Sequence, residues 1–547
     1  MRREGSSFLA HSHPRAIEGN FSMSDNDSNN NGNDNSSNSP QELHGWGPLI
    51  ATLETKALAA RAMGGAAKLE ARRASGSLNA RERIAFLLDP DSFQEIGTLA
   101  ANITGEGDRP APADAFPAGF GRIHGRPVLV GAEDFTVMGG SIGLAAADKR
   151  YRLTQLAAQE RVPLVFLLEG AGHRMTNALK GHGRTPNDLQ GLVDLSGKVP
   201  SVCVVLGASA GHGALAAPLM DFAVMTESAA LFAAGPPLVE AATGEKIDKH
   251  ELGGPKVHVQ TSGVVHNRAA DEAKALELVR SYLRYFPQSA WDAPPCGISG
   301  DAAQERRLDE ILALIPPDSF KPYKMKRVLE LLVDEGTLLE VQPQFGSAVI
   351  TALAFLGGQS VAIVANNPVS KAGALDCDAA HKAARFLEVV GSFHIPVVFL
   401  ADNPGVQAGS KAEREGALRA AARMFAAQRR LRSPKLHVTI RKAFGFGSSV
   451  MAMNPFDDQT LSIAFPGATL GAMPAASGGR AANAEEEEQA ALDALQQGGP
   501  YPVASTLGFD EVIDPRELRN VLLAGLRLAA GRTQGAKQPL ARVGFLP

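Results

Sequence analysis

Gly125-Arg-Pro-Val-Leu-Val-Gly-Ala-Glu-Asp134 and, 233 positions later, Gly358-Gln-Ser-Val-Ala-Ile-Val-Ala-Asn-Asn367 are two copies of one pattern. The match runs without a gap to Pro163-Leu-Val-Phe-Leu-Leu168 over Pro396-Val-Val-Phe-Leu-Ala401, and on to Gly172 over Gly405. Between them Gly140, Ala146, Ala147 and Lys149 fall on Gly373, Ala379, Ala380 and Lys382. With the offset grown by one, Pro200-Ser-Val-Cys-Val-Val-Leu206 meets Pro434-Lys-Leu-His-Val-Thr-Ile440, and Gly211-His-Gly213 meets Gly445-Phe-Gly447. Self-similarity over this span is a duplicated structural unit.

Each copy alternates β with α. Strands are predicted at Val128–Val130 and Val361–Val364, helices at about Ala145–Glu160 and Ala379–Phe393, and buried apolar strands at Leu164–Leu168 and Val397–Leu400. Leu153, Leu156 and Ala157, like Ala383, Phe386, Leu387 and Val390, recur at three-to-four spacing and mark the helix face that packs on a sheet. Pro163 and Pro396 stop the two helices. The fold class is therefore α/β, with repeats near residues 75–290 and 315–540 joined by the Pro- and Gly-bearing Pro287–Pro316.

A chain of 547 residues with 44% apolar and 20% charged side chains can bury two large cores. A net charge of −4 argues against a nucleic-acid coat or a basic membrane surface. Cys203, Cys296 and Cys377 are too few and too scattered for a disulfide framework or a zinc ribbon, which fits a reducing compartment. The first 45 residues hold no apolar run of the secretory kind, and no stretch is long enough to span a bilayer, so a cytoplasmic protein is expected. Ser24–Ser39, made only of Ser, Asp, Asn and Gly, has nothing to bury, and residues 1–45 are expected to be a disordered tail.

In four places an apolar strand runs into a Gly-bearing loop and a helix start. These are Leu168-Glu-Gly-Ala-Gly-His-Arg174, Leu206-Gly-Ala-Ser-Ala-Gly-His-Gly213, Leu400-Ala-Asp-Asn-Pro-Gly405 and Ile440-Arg-Lys-Ala-Phe-Gly-Phe-Gly447. Unpaired N–H groups at such starts are donors for an oxyanion, although glycines also serve merely to close turns. Gly207-Ala-Ser-Ala-Gly211 fits a hydrolase nucleophile elbow at Ser209, but the second copy has no Ser at the matching place. No Walker Gly-Lys-Ser/Thr, His-Glu-x-x-His or paired-Cys motif is present, and no metal site is expected. His173 and His212 invite an acid–base role but are read as polar contacts at helix starts. Glu485–Glu488 is read as a solvated helix face.

Beyond the loops, ordered motifs carry a family resemblance. They are Leu78-Asn-Ala-Arg-Glu-Arg-Ile84, Asp134-Phe-Thr-Val-Met-Gly-Gly-Ser141, Ser262-Gly-Val-Val-His266, Lys321-Pro-Tyr-Lys-Met-Lys326, Val333-Asp-Glu-Gly336, Lys382-Ala-Ala-Arg-Phe386 and Arg441-Lys-Ala-Phe-Gly445. Over roughly residues 75–535 the chain resembles the carboxyltransferase β subunit of biotin-dependent acyl-CoA carboxylases, the propionyl-CoA and methylcrotonyl-CoA carboxylase family. The resemblance implies two crotonase-like (ClpP/crotonase) domains in tandem, over 46–300 on the acyl-CoA side and 301–547 on the biotin side. It also implies a cytoplasmic hexamer, a trimer of dimers, whose active site joins the first domain of one subunit to the second domain of its mate. Carboxybiotin would arrive on a separate biotin carboxylase or biotin-carrier subunit, and the substrate would be a CoA thioester. By motif, Ala171 and Gly172 would hold the thioester enolate and Phe446 and Gly447 the biotin ureido oxygen, with Gly211, Gly213, Gly405 and Ser449 lining substrate. No side-chain base is required in this chemistry.

The chain departs from its relatives at Ala171-Gly172-His173 and Gly445-Phe446-Gly447, where Gly-Gly-Ala is usual. After Met473, Pro474-Ala-Ala-Ser-Gly-Gly-Arg480 replaces a helical segment, and its Pro and two Gly disfavour a helix. Two alternatives stay open: a biotin-dependent acyl-CoA decarboxylase subunit running the transfer backward, and a non-catalytic assembly subunit motivated by that altered segment.

Overall fold

The computed structural model describes residues 45–101, 111–175, 187–296, 305–540 and 542. The polar stretch Ser24–Ser39 and Gly297 of the predicted linker lie outside them. The chain divides after Leu53; before that point the described residues give the first turns of a helix, Gly47–Arg61, and both sheets come after it.

Parallel strands covered on both faces read as unbroken apolar runs, and the runs of both copies become neighbouring strands of mixed sheets. The first sheet has seven strands in sequential order: β1 (Gln94–Ile96), β2 (Ala118–Ile123), β3 (Arg126–Ala132), β4 (Leu164–Leu168), β5 (Ser201–Val205), β6 (Phe222–Thr226) and β7 (Asn267–Ala269). The second has eight: β8 (Leu339–Val341), β9 (Val349–Leu356), β10 (Gln359–Asn366), β11 (Val397–Asn403), β12 (Lys435–Phe444), β13 (Leu461–Ala464), β14 (Thr469–Gly471) and β15 (Glu511–Val512). Here β15 follows β13 along the sheet, and β14 pairs with the end of β12. In both sheets the first two pairings are antiparallel and the rest parallel. Register is duplicated too. Leu129 faces Leu164 and Leu164 faces Ser201, as Ala362 faces Val397 and Val397 faces Lys435.

The helices that matter for the site are α1 (Leu144–Glu160), α2 (Asp188–Leu195), α3 (Gly211–Ala214), α4 (Cys377–Ser392), α5 (Ala417–Arg429), α6 (Phe446–Val450), α7 (Ala475–Ala482) and α8 (Glu486–Gln497). Helix α1 ends on Arg161 in the left-handed region, two residues before Pro163, and the Asp376 carboxylate caps α4 by accepting from the Ala379 amide at 2.8 Å. One apolar core joins the copies: Val165, Val202 and Phe222 pack in one cluster with Ala383 and Leu387 of α4 and with Phe393, which follows it. Phe222 stacks on Tyr282 at 4.2 Å and Phe286 meets Phe393 edge-on at 5.3 Å. Burying each such ring stabilises the fold by about 1.5–3 kcal/mol. No helix among the described residues is long and apolar enough to cross a membrane.

The expectation that residues 474–480 avoid a helix is corrected by α7. Pro474 stands outside the helix as its N-cap, where a missing N–H costs nothing, and Asn483 closes it in the left-handed region. Gly479 faces α8 closely, since a Cβ there would fall 1.7 Å from the Gln489 Oε1. Glu485–Glu488 is exposed, and it begins α8 with a capping box and three carboxylates in the first turn, where the helix dipole favours them.

Candidate active site

The four Gly-bearing loops meet in two equivalent pairs. After β4 the chain passes Gly172 at φ +79°, and after β11 it passes Gly405 at φ +118°. The carbonyl of Gly172 accepts from the Ile142 amide at 2.8 Å, and Arg174 N donates back to Ile142 O at 2.9 Å. In the second copy Leu375 N donates to Gly405 O at 3.1 Å and Gln407 N to Leu375 O at 2.8 Å. The loops after β5 and β12 turn into α3 and α6 through Gly211 and Gly445, at φ +59° and +58°. A Cβ on Gly172 would lie 2.8 Å from Ala210 O, and one on Gly447 would lie 2.5 Å from Asn403 Oδ1 and 2.8 Å from Gly405 Cα. A side chain at Gly172 or Gly447 would therefore collide with the partner loop of its own copy.

Their amides differ in availability. Ala171 N donates to Gly139 O at 3.1 Å, so it is already engaged, whereas the Gly172 amide has no acceptor among the described residues. Gly405 N donates to Asn403 Oδ1 at 3.0 Å. Phe446 and Gly447 begin α6, and neither amide has an acceptor among the described residues. Gly447 is buried, while the Phe446 ring is 47% exposed and rests 5.4 Å from Phe425 of α5. Gly211 and Gly213 lie in α3, Gly211 beside Gly172 and Gly213 facing Glu133. Ser449 is half-buried on α6, its carbonyl accepting from Gln428 Nε2 at 3.2 Å. Ser209 is buried within the short strand Ala208–Ala210 and does not stand at a turn, so the nucleophile-elbow reading fails on geometry.

Buried charges hold each loop. Glu169 takes Arg72 and, at 2.5 Å, Arg83 of the Leu78–Ile84 motif, and Arg83 also pairs with Glu272 at 2.6 Å. At the equivalent position Asp402 takes Arg441 at 2.8 Å and Lys442 at 3.6 Å. The repeated lysines act alike: Lys149 Nζ donates to Ala113 O at 2.5 Å and to Phe116 O, and Lys382 Nζ to Gln342 O and Phe345 O at 3.0 and 2.9 Å. Burial pushes both amines down to about 8. A further chain, found only in the first copy, starts at Glu133, which accepts from the Glu169 amide at 2.8 Å and from Arg150 at 3.0 Å. Arg150 pairs with Asp188 at 2.7 Å, and Asp188 meets His212 Nε2 at 2.5 Å. Burial raises the Glu133 carboxyl despite Arg150. Burial would raise Asp188 as well, but Arg150 and His212 hold it below the usual carboxylate range. The His173 ring lies 4.4 Å from that of His212. The sequence offers Arg150 and Asp188 no motif, because the partners are spread from 133 to 212 and meet only through the fold.

An open cleft of about 450 Å³ borders the first pair of loops, lined by Lys68, Arg72, Phe135 and Gly139 among others. Among the described residues Lys68 supplies the free cation of its wall, Arg72 being neutralised by Glu169.

A mixed α/β fold with unpaired amides at Gly172 in one copy and at Phe446 and Gly447 in the other fits oxyanion stabilisation without a side-chain nucleophile, and comparison with known proteins agrees. The carboxyl transferase domain family matches residues 71–542, and the chain belongs to it as a carboxyltransferase subunit of the biotin-dependent acyl-CoA carboxylase type. The biotin-dependent acetyl-/propionyl-coenzyme A carboxylase beta5 subunit of Mycobacterium leprae is 34% identical over 490 residues, covering 85% of this chain and 89% of that one. The methylmalonyl-CoA decarboxylase subunit alpha of Veillonella parvula is 33% identical over 499 residues, covering 89% and 96%. The structure of the transcarboxylase 12S hexamer with methylmalonyl-coenzyme A and methylmalonic acid bound superposes with a TM-score of 0.84 at 31% identity, over 91% of this chain and 98% of that one.

Proposed function

We propose that the chain moves a carboxyl group from biotin, carried on a partner protein, to the α or vinylogous γ carbon of an acyl-CoA thioester. The observation that carries this reading is the duplication of the loop pair, with an unpaired amide at Gly172 in one copy and at Phe446 and Gly447 in the other. Two carbonyl oxygens gain negative charge in such a transfer, that of the thioester and that of the biotin ureido group, and each needs fixed donors. Biotin, when bound, supplies the carboxyl carrier. The buried Gly447 amide suits the ureido oxygen, and Phe446 and Gly447 are the residues that would hold it. Gly172 would hold the enolate oxygen, with Ala171 serving instead to fix the loop on Gly139. Gly211, Gly213, Gly405 and Ser449 would line the space between donors and acyl chain, and Lys68 would face the CoA phosphates from the cleft.

The same reading assigns residues 46–300 and 301–547 to two crotonase-like domains, the first for acyl-CoA and the second for biotin. It also extends to this chain the hexamer of the transcarboxylase 12S structure, with a biotin carboxylase or biotin-carrier chain as partner. The Veillonella relative favours a second direction, from carboxylated acyl-CoA to biotin. The non-catalytic alternative is motivated by the altered segment that forms α7, and carboxyl transfer in the assay below would exclude it. The test is ¹⁴C-bicarbonate incorporation into a panel of acyl-CoAs, using the biotinylated partner recovered with this chain from the native cell. Label in acyl-CoA supports carboxylation; sodium-dependent loss of label from a carboxylated acyl-CoA supports the reverse.

A further inference from the structure

Two histidines expected to be incidental meet at the first loop pair. Each follows a glycine of that pair: His173 comes after Gly172, and His212 after Gly211, whose Cα lies 3.7 Å from a Cβ placed on Gly172. Their rings approach to 4.4 Å. His212 Nε2 is 2.5 Å from Asp188 Oδ1, and the other oxygen of Asp188 is fixed by Arg150 at 2.7 Å. Arg150 and Asp188 are buried, so the carboxylate can neither swing nor hydrate. An ionised Asp188 makes Nε2 the protonated nitrogen and leaves Nδ1 as the basic one. This is the orienter-and-base arrangement of acid–base catalysis, placed beside an amide able to hold an enolate oxygen. The second copy has Val406 and Phe446 at the corresponding positions and carries no such pair.

We infer that His212, oriented by Asp188 and backed by His173, is an acid–base group that exchanges the α-proton of bound acyl-CoA with solvent, without biotin or its carrier. As the Cα–H bond breaks, its proton passes to imidazole Nδ1 and the electron pair moves onto the thioester oxygen at the Gly172 amide. In the return step the pair re-forms a C–H bond with a proton from the imidazolium, which His173, at the exposed side, exchanges with water. No co-reactant is consumed. The inference rests on the assignment of the first loop pair to acyl-CoA.

The test is deuterium uptake at Cα of propionyl-CoA in D₂O, read by mass spectrometry, with the purified full chain and no biotinylated protein. Wild type is expected to exchange well above solvent. His212→Asn, which keeps a donor for Asp188, should lose about a hundredfold or more, the scale of general acid–base catalysis. Added imidazole should restore part of the rate to His212→Ala, a rescue that a purely structural role would not give. His173→Asn, at an exposed position, provides a variant that will fold. Wild type that binds propionyl-CoA and carboxylates it with the partner, yet shows no exchange alone, overturns this inference and leaves the carboxyltransferase reading intact. Exchange without any carboxyl transfer does the reverse. Exchange at wild-type rate in folded His212→Asn and His173→Asn also overturns it.

Discussion

Single residues decide where the donors point. Gly447 touches Gly405 and Asn403, and Asn403 fixes the Gly405 amide, so Gly447→Ala must push the loop after β11 off its position while keeping its own N–H. The expected loss is about 10²–10³-fold in kcat for carboxyl transfer, comparable to removing one oxyanion donor, with the circular-dichroism spectrum unchanged. Ser449 puts a small side chain two residues after Gly447, and the Phe446 ring rests on Phe425 of α5. Each extra buried methylene is worth about 0.8 kcal/mol, so kcat/KM should favour propionyl- and butyryl-CoA over acetyl-CoA, and Ser449→Ile should shift the optimum to the shorter chain. A wild-type preference for acetyl-CoA contradicts this pocket assignment. The loops were legible at this scale because the same Gly-bearing turn after an apolar strand recurs at equivalent places in both copies. The engagement of Ala171 by Gly139 was not, because it depends on a left-handed turn at 138–140 that residue types alone do not specify.

Elements are held by charges as much as by apolar faces. Helix α1 carries Arg150, which joins Glu133 of the turn after β3 to Asp188 at the start of α2. Replacing Arg150 with Leu strands two buried carboxylates and is expected to destabilise the fold by about 3–5 kcal/mol, read as a lowered urea midpoint. An unchanged midpoint would mean that water or rearrangement compensates for it. The repeat made strands and helices predictable to within a few residues, since the 3.6-residue and unbroken apolar patterns are local. The misreading of α7 shows the limit of that logic: Pro474 lies one position outside the helix, and the contact of Gly479 with α8 answers a tertiary demand that propensity does not include. The Arg83, Arg441 and Lys382 of the recognisable motifs turn out to anchor loops rather than to line a reaction path.

The whole molecule carries its acid sensitivity in buried histidines. Burial lowers His437 to about 4 and holds His266 well below 6.5, with His437 bonded to Met451 O and Thr439 Oγ1 at 2.7 Å each. A histidine whose pKa falls on folding stays neutral in the native state where the unfolded chain has gained a proton. The contribution of these histidines is therefore constant above pH 6.5, and it lowers stability as pH drops from there toward about 4. Urea unfolding at pH 7, 6 and 5 should show falling stability, and His437→Gln should flatten the slope; an equal slope in that variant would remove His437 as a cause. On the proposed function, this chain holds both an acyl-CoA site and a biotin site. That pairing is tested most directly by following ¹⁴C-carboxyl from malonyl-, methylmalonyl- and ethylmalonyl-CoA to free biotin, with this chain as the only protein. Biotin-dependent release of label into the carboxybiotin fraction, strongly reduced in Gly447→Ala, is the predicted result. No transfer from any of the three by folded protein that binds acyl-CoA would contradict it.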